Sequence, residues 1–401
     1  MAGGDRSPPG PLAPRPADQP DRRFEAHQRF VLAAKVHWST RLYPALKATA
    51  RDHLAAAVRR GEPHAPDASA PSSPAASASA PGASAPDAPM VGASAIADLL
   101  ADEPLLPFYA WLERHLQQMK YAGRDGLVAH HARNREALEA WLAQADALPS
   151  LQLDPTLRPP PYYEAFDVHQ HPGGLNGDTL AGIVYEHGAR STTPLLQRHQ
   201  DLHHRLTQAV RERNTPRRLL DLGCGFGKST EPFAQADPEL PITAVDLSAP
   251  CLRLAALNAQ ARGHAKVRFL QRDAVATGLD DAAFDTVTST MLLHELPPSH
   301  LKRLVAETHR LLAPGGWVVH LDFLVLDGNP FSRFIHHGHG QRNNEPFMQP
   351  LDELDIAALH RQAGFSEVQV LPFEEAPGTL SPGHGAWRFP WALVAARKPV
   401  A

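Results

Sequence analysis

Residues 219–229 read LLDLGCGFGKS, and they join an apolar strand to a glycine-rich turn. The strand carries Asp221, and a helix is expected to begin near Lys228. Glycine suits such a turn because it adopts backbone angles that other residues avoid and lets the backbone approach a ligand closely. Amides at the start of the following helix offer hydrogen-bond donors to a polar ligand. The stretch therefore predicts a ligand-binding turn between a strand and a helix.

The spacing of the glycines separates the kinds of nucleotide-binding loop. A P-loop requires glycine at position 222, which is leucine, and the dinucleotide fingerprint requires glycine at position 228, which is lysine. What remains is an acidic residue followed by alternating glycines, namely Asp221, Gly223, Gly225 and Gly227. This pattern resembles motif I of the class I S-adenosylmethionine (SAM)-dependent methyltransferases. The resemblance implies that these residues belong to a cofactor site.

Later features follow in the order that the same family shows. A second strand ends at Asp246, whose carboxylate would accept hydrogen bonds from both ribose hydroxyls. The resemblance implies that Asp273 binds the adenine amino group, that the amide of Ala274 meets the ring, and that Thr290 completes the cofactor contacts. The cofactor is then SAM and the product S-adenosylhomocysteine. The remaining matching segments are FDTV (284–287), LLAPGG (311–316) and GFSEVQV (364–370).

Short apolar runs alternate with amphipathic segments after residue 214. Strands are predicted at 218–222, 242–246, 267–270, 284–289 and 317–322. Helices are predicted at 250–262, 299–312 and 351–363, and two closing strands at 366–371 and 388–397. This alternation predicts an α/β fold with a parallel sheet and helices on both faces. The resemblance implies a doubly wound, mostly parallel sheet of seven strands that ends in an antiparallel hairpin.

The chain is predicted to have four parts. In order they are a disordered N-terminus (1–20), a helical accessory region (21–150) with an Ala/Ser/Pro linker (62–93), a linker and lid segment (151–213) and the SAM-binding methyltransferase domain (214–401). Pro44 is expected to kink the first accessory helix. The accessory region serves either packing or dimerisation, or else it acts as a lid or acceptor-recognition element.

The catalytic candidates His294 and Glu295 follow the fourth predicted strand. In open α/β sheets ligands bind beyond the C-terminal strand ends, so both side chains are expected to face the acceptor. An oxygen or carbon acceptor must lose a proton, whereas an amine or thiol needs no base beyond solvent. Histidine has a suitable pKa, and His294 is therefore either the base or a residue that packs against the next helix. His320 is expected to be a core residue of the fifth strand.

Residues 161–190, PYYEAFDVHQHPGGLNGDTLAGIVYEHGAR, do not read as a plain linker. In related folds the segment before motif I closes over cofactor and acceptor. The segment therefore forms a lid or an ordered cap with ordinary surface histidines. The lid candidates are Tyr162, Tyr163, His169, His171 and Tyr185.

A histidine-rich stretch, FIHHGHGQRNNEPFM (334–348), follows the fifth predicted strand. Arg342 and Glu345 are candidates to bind a polar acceptor. No metal is expected at His336, His337 and His339, because no carboxylate with ligand spacing stands beside them in the sequence.

Composition limits the classes of function. The chain has 401 residues and a formal net charge of -4, which disfavours a nonspecific nucleic-acid binder. Two cysteines are too few for a disulfide scaffold or a cysteine-type zinc site. No signal peptide and no membrane span are recognised, so a cytoplasmic protein is expected. The expected partners are a small-molecule acceptor and, through the N-terminal helices, a second copy of the chain.

Three functions remain open on the sequence. The first is a small-molecule methyltransferase, the second a macromolecular methyltransferase whose accessory region docks protein or RNA, and the third a non-enzymatic SAM binder. Residues 289–292 read STML where members that methylate adenine or glutamine amides carry Asn/Asp-Pro-Pro-Tyr. The chain therefore departs from those members, and no subfamily is assigned.

Overall fold

The computed structural model describes residues 12–18, 21–60, 92–191, 201–381 and 383–400. Most of the predicted linker at 62–93 lies outside these residues, as does most of the segment 1–20. Residues 12–18 do form contacts, although the sequence predicts disorder for them. The amide of Ala13 donates to the side chain of Gln144 (2.8 Å), and Arg15 pairs with Glu186 (2.6 Å).

The strands of the described chain form one sheet of eight, one more than expected. The additional strand is a two-residue segment, Leu151–Gln152, which pairs in parallel with Phe269 and Leu270 at the sheet edge. The strands are β1 (Leu151–Gln152), β2 (Leu219–Leu222), β3 (Ile242–Asp246), β4 (Val267–Gln271), β5 (Phe284–Thr290), β6 (Leu312–Phe323), β7 (Ser366–Pro372) and β8 (Trp391–Arg397).

The spatial order is β1-β4-β3-β2-β5-β6-β8-β7, with the pairs from β1 to β6 parallel. The predicted closing hairpin is confirmed, because β8 runs antiparallel to both β6 and β7. Alternate residues of β2 belong to different cores: Leu219 packs in one, and Leu220 and Leu222 pack in the other. Since successive side chains of a strand face opposite sides, the sheet is buried on both faces and the fold is doubly wound.

Helices cover both faces of the sheet and form the N-terminal region, and no described helix has the length and apolar character needed to cross a bilayer. In chain order they are α1 (Arg22–His37), α2 (Tyr43–Arg60), α3 (Ala93–Leu99), α4 (Leu105–Tyr121), α5 (Leu127–Ala132), α6 (Arg135–Ala143), α7 (Pro161–Glu164), α8 (Ala181–Ala189), α9 (Asp201–Arg213), α10 (Glu231–Ala236), α11 (Ala249–Ala261), α12 (Pro298–Leu311), α13 (Pro330–Asn343), α14 (Met348–Asp352) and α15 (Ile356–Gln362).

The distortion expected at Pro44 occurs immediately before it. A single π-helical turn, Trp38–Leu42, joins α1 to α2, and the amide of Tyr43 reaches back to the carbonyl of Trp38. Proline has no N–H to bond the carbonyl four residues earlier, so a wider turn at this point avoids a broken α-helical ladder.

The N-terminal helices pack against the C-terminal half of the chain. Trp38, Leu46 and Tyr109 share a buried cluster with Phe331 and Ile335 of α13. In addition, the amide of Trp387 donates to the carbonyl of Ser39 (3.0 Å), and the Ser39 hydroxyl donates to the carbonyl of Trp387 (3.1 Å). These contacts place the π-helical turn, α2 and α4 over the carboxyl edge of the sheet.

The predicted helix at 351–363 is two helices, α14 and α15. Asp355 interrupts it, because its side chain accepts a hydrogen bond from the amide of Ala358 (2.8 Å) and thereby caps α15. Aspartate favours this position over a helix interior because its carboxylate satisfies an otherwise unpaired amide.

We expect Asp355→Ala to lower the free energy of unfolding by about 1 kcal/mol, since the cap hydrogen bond is lost at an exposed position. Asp355→Asn retains an acceptor oxygen and is the matched control. Urea denaturation followed by circular dichroism measures both variants. Equal stabilities of the alanine and asparagine variants would contradict the assigned cap.

Candidate active site

The glycine-rich turn runs from the end of β2 to α10. Gly223, Gly225 and Gly227 have φ values of +70°, +51° and +85°, a region that favours glycine. A Cβ atom on Gly223 would lie 3.0 Å from Cδ1 of Leu292, so the turn also requires a small residue there. The helix begins at Glu231 rather than near Lys228 as predicted, so the turn backbone borders the site.

Asp221 lies beneath this turn and is buried. Its carboxylate accepts hydrogen bonds from the hydroxyls of Ser229 (2.7 Å), Thr230 (2.7 Å) and Thr288 (3.3 Å). Burial raises the pKa of Asp221 to about 6, and the hydroxyl donors counteract the rise. Among the described residues, Asp221 is not in the lining of the main cavity. Its contacts fit the positioning of the turn rather than the direct cofactor contact that the sequence predicts.

A cavity of about 700 Å³ opens at the carboxyl edge of the sheet. Gly227 does not belong to its described lining; a Cβ there would contact Ala255 (3.3 Å), and Gly227 borders a neighbouring smaller pocket instead. The other predicted cofactor residues line one side of the cavity together: Gly223, Gly225, Asp246, Asp273, Ala274 and Thr290.

The carboxylate of Asp246 stands at the end of β3 in this wall. Its two oxygens accept hydrogen bonds from the amides of Gly225 (2.8 Å) and Ser248 (2.8 Å). Burial raises the pKa of Asp246, and these amides counteract the rise. Because each carboxylate oxygen has two acceptor sites, both oxygens retain the capacity to accept from a ligand.

His294, one of the catalytic candidates, is buried at the carboxyl end of β5. Its Nδ1–H donates to Oδ1 of Asp322 (2.6 Å), whose other oxygen accepts from the amide of Leu293 (2.6 Å). Burial lowers the pKa of His294, but the carboxylates of Asp322 and Glu295 outweigh it and raise the pKa well above its ordinary value. The imidazole is therefore fixed in orientation, and the two carboxylates favour its protonated form.

The lid histidine, His169, connects two further carboxylates. Its Nδ1 lies 3.0 Å from Oε1 of Glu345, and its Nε2 lies 3.2 Å from Oε1 of Glu295. Burial opposes its protonation, but Glu345 and Glu295 prevail and raise its pKa to about 9. His169 and Gln170 have φ values of +56° and +58°, an uncommon conformation for residues with side chains. Backbone strain of this kind persists where surrounding contacts compensate for it, and here the ion pairs do so.

Arg342 does not reach the cavity, contrary to its predicted role. Its guanidinium Nε donates to Glu113 of α4, and its guanidinium carbon Cζ lies over the ring of Tyr109, 5.7 Å from the ring centroid. Burial raises the pKa of Glu113, but Arg342 and His339 prevail and lower it. Arg342 therefore anchors α13 to the accessory region, whereas Glu345 does line the cavity.

Three of the other lid candidates line the cavity, and one does not. Tyr162, Tyr163 and Tyr185 line the cavity with His169, and the ring of Tyr185 is parallel to that of His169 at 5.9 Å. His171 is buried against Tyr121 (4.9 Å) and, in the described lining, is not part of the cavity.

The three neighbouring histidines of α13 do not converge on one point. His337 lies 3.0 Å from Asp352, His339 pairs with Glu113, and His336 is buried beside Phe323 (6.3 Å). Two of these histidines thus pair with carboxylates that lie outside the histidine-rich stretch, Asp352 of α14 and Glu113 of α4. His320 packs in the core as expected and bonds the hydroxyl of Ser289 (2.7 Å).

Several residues of the site were not predicted from the sequence: Asp322, which holds His294 from behind the cavity wall, and Glu113 and a set of aromatic residues, which line the cavity. Asp322 ends the fifth predicted strand, and an acidic residue at that edge was a usable signal. Glu113 gives no such signal, because its place in the site depends on the packing of α4 against α13. The aromatic lining was also missed: Trp38, Phe323, Trp387, Phe389 and Trp391.

Comparisons with known proteins agree with this geometry. The profile of a family described as a methyltransferase domain matches residues 219–316. A demethylmenaquinone methyltransferase of Thermus thermophilus is 36% identical over 108 residues, 27% of this chain and 48% of the relative. A ubiquinone biosynthesis O-methyltransferase of Bordetella avium is 32% identical over 175 residues, 41% of this chain and 68% of the relative. The chain belongs to the class I SAM-dependent methyltransferases.

The methyltransferase spans about half to two thirds of the length of these curated relatives. Among solved structures, a Haemonchus contortus phosphoethanolamine N-methyltransferase 2 is similar over 49% of this chain and 52% of its own, with 20% identity and a TM-score of 0.39. That complex contains S-adenosylhomocysteine.

SAM is the cofactor of this family, and the methyltransferase's residues fit it. The hydroxyls of Thr290 and Tyr163 are buried at the cavity without a hydrogen-bond partner among the described residues. Gly225 has open space in front of it, with the ring of Tyr185 3.9 Å from a would-be Cβ atom. The turn thus offers backbone surface, the cavity offers unused polar groups, and Asp246 offers acceptor oxygens.

We expect Asp246→Ala to weaken SAM binding at least about tenfold, because charged hydrogen bonds to two ribose hydroxyls contribute about 1.5–3 kcal/mol each. Isothermal titration calorimetry of the full-length protein measures the affinity. The exposed Asp280→Ala variant is the control and should bind SAM like the wild type. An unchanged affinity in Asp246→Ala would remove Asp246 from the cofactor site.

Proposed function

We propose that the protein transfers a methyl group from SAM to a small aromatic acceptor whose hydroxyl group loses its proton to His294. The observation that carries this proposal is the pair of His294 and Asp322, buried beside an aromatic wall in the same cavity as Asp246 and the glycine-rich turn. The methyl donor, when bound, supplies an electrophilic methyl group on a sulfonium.

The size and enclosure of the cavity favour a small molecule. Its volume of about 700 Å³ lies within the usual range of small-ligand sites, about 300–1,000 Å³. Trp38 of the π-helical turn and Glu113 and Gln117 of α4 form part of its lining. The accessory region therefore closes the cavity from one side, which supports acceptor recognition over a role in dimerisation or in docking a macromolecule.

The aromatic wall favours a planar acceptor. Rings follow one another from His294 outward: Phe323 lies 4.7 Å from it, Phe389 stacks on Phe323 at 4.3 Å, and Trp387 lies 4.6 Å from Phe389. Aromatic side chains attract ligand rings through stacked and edge-on contacts. Two curated relatives carry demethylmenaquinone and ubiquinone in their names, and both compounds contain a planar ring.

A proton must leave a hydroxyl or ring-carbon acceptor during methyl transfer, and His294 is positioned to hold it. Asp322 fixes one ring nitrogen, so the other, Nε2, faces Glu295 (3.5 Å) and the cavity. Because its raised pKa favours the imidazolium form, His294 must release a proton to solvent before it can accept the hydroxyl proton of the acceptor. Higher pH therefore favours the reactive, deprotonated form of His294.

The test uses SAM with a labelled methyl group, the full-length protein and an extract of the source cells, which is separated after reaction into small molecules, lipid, protein and RNA. We expect label in an aromatic small molecule. Asp246→Ala should remove the label through lost SAM binding. His294→Gln removes the proton acceptor and should slow transfer about 10²–10⁴-fold. Its SAM affinity should be unchanged, and this measurement also shows that the variant is folded despite the loss of a cationic partner for Asp322.

The exposed His204→Gln variant is the control for the histidine substitution and should transfer at the wild-type rate. Label in protein or RNA would overturn the small-molecule proposal. Tight SAM binding without label in any fraction would favour a non-enzymatic role. Full activity of His294→Gln would exclude His294 as the proton acceptor.

The pH profile of kcat/KM for the acceptor reports the pKa of His294 in the free enzyme. Its pKa is raised in the folded protein, and only the deprotonated ring accepts a proton, so we expect the rate to rise with pH beyond the ordinary histidine value of about 6.5. In Asp322→Asn the carboxylate that raises this pKa is absent, so the midpoint should move to lower pH while the maximal rate falls. The wild type and Asp322→Asn are measured with the same acceptor, so the ionisation of the acceptor affects both pH profiles equally and does not contribute to the difference between them. Identical midpoints would contradict the assignment.

A further inference from the structure

A second histidine cluster lies outside the cavity, where α5 meets α8 and the N-terminal segment 12–18. Nε2 of His131 is 3.1 Å from Nδ1 of His187, and Nε2 of His130 is 3.9 Å from Oδ1 of Asp18. Ligand atoms of Asp18, His130 and His131 all lie within 4.8 Å of one another. The proposed methyl transfer uses none of these residues.

The cluster holds more polar groups than its own contacts satisfy. His130 and His131 are buried, and Nδ1 of His130 has no hydrogen-bond partner among the described residues. Burying an imidazole nitrogen without a partner costs free energy. Imidazole nitrogens are common metal ligands, and His130, His131 and His187 bring three imidazole rings together at this point.

One separation in the cluster already has the value of a tetrahedral zinc site, and the others are longer and must shorten when an ion binds. With Zn–N bonds of about 2.0–2.1 Å, neighbouring ligand atoms of a tetrahedron lie about 3.3 Å apart. The nitrogens of His131 and His187 are 3.1 Å apart, close to this value. The Asp18 side chain is 54% exposed and free to rotate inward from 3.9 Å. Imidazole nitrogens with one carboxylate suit Zn²⁺ rather than Mg²⁺ or Ca²⁺, which prefer all-oxygen sites.

We propose that Asp18, His130, His131 and His187 bind one Zn²⁺ ion that fastens the N-terminal segment and α5 to α8. The ion would be structural, because four protein ligands leave no open coordination position. Its effect would reach the cavity through α8, since Tyr185, two residues before His187, lines the cavity. Arg15 and Glu186 already join the same segments by an ion pair (2.6 Å).

The experiment uses the full-length protein without a polyhistidine tag, freed of metal with a chelator and then dialysed. Calorimetric titration with ZnCl2 measures stoichiometry and affinity, and CoCl2 provides a visible spectrum whose intensity distinguishes tetrahedral from octahedral coordination. We expect one equivalent of Zn²⁺, an intense tetrahedral Co²⁺ spectrum, and a rise in Tm on adding Zn²⁺.

His131→Ala should abolish this binding, and Asp18→Asn should weaken it at least about tenfold. Asp18 is exposed, so its substitution tests the site even if His131→Ala fails to fold. The exposed His204→Ala variant controls for zinc on surface histidines and should bind like the wild type. Zinc binding by Asp18→Asn equal to that of the wild type would overturn the proposal, as would a wild type that binds no Zn²⁺ or gives an octahedral Co²⁺ spectrum. In the last two cases the cluster would be a neutral core stack in which Phe24 lies on His130 (3.6 Å).

Discussion

Buried charge at the carboxyl edge of the sheet is the constraint on which the site depends. Asp322, Glu295 and Glu345 each need a cationic partner there, and His294 and His169 are the groups that face them. Removing one partner of a buried ion pair costs about 3–5 kcal/mol, because the other charge is left without compensation. The strand ends, the segment 161–190 and the residues after α13 are therefore held together by buried ion pairs as well as by apolar packing.

The sequence pattern of short segments was sufficient to predict the cofactor side of the site and the main strands. The glycine-rich turn, Asp246 and the order of the main strands all follow from short segments whose residue types allow few other structures. The position of His294 could also be predicted, because a residue directly after β5 lies at the ligand-binding edge of an open parallel sheet. Its acidic partner Asp322 required a further step, namely that β6 is the neighbour of β5.

The rest depended on packing between distant segments. Arg342 was expected to meet the acceptor, but Glu113 lies close enough to pair with it, and only the docking of α4 on α13 creates that contact. The strand Leu151–Gln152 is too short to give a periodic hydrophobic pattern, so this edge strand of the sheet was not predicted. The aromatic wall was missed for the same reason: its rings come from both halves of the chain and form one surface only in the folded protein.

The contact between Ser39 and Trp387 joins an early part of the chain to a late one, at a sequence separation of 348 residues. During synthesis α1 and α2 leave the ribosome long before the loop that carries Trp387, so Trp38 can pack on Tyr109 (4.8 Å) long before it can pack on Trp387 (5.0 Å). Exposed apolar surface on a growing chain promotes aggregation and is the usual substrate of chaperones. The aromatic wall therefore cannot be completed before the loop that carries Trp387 has left the ribosome.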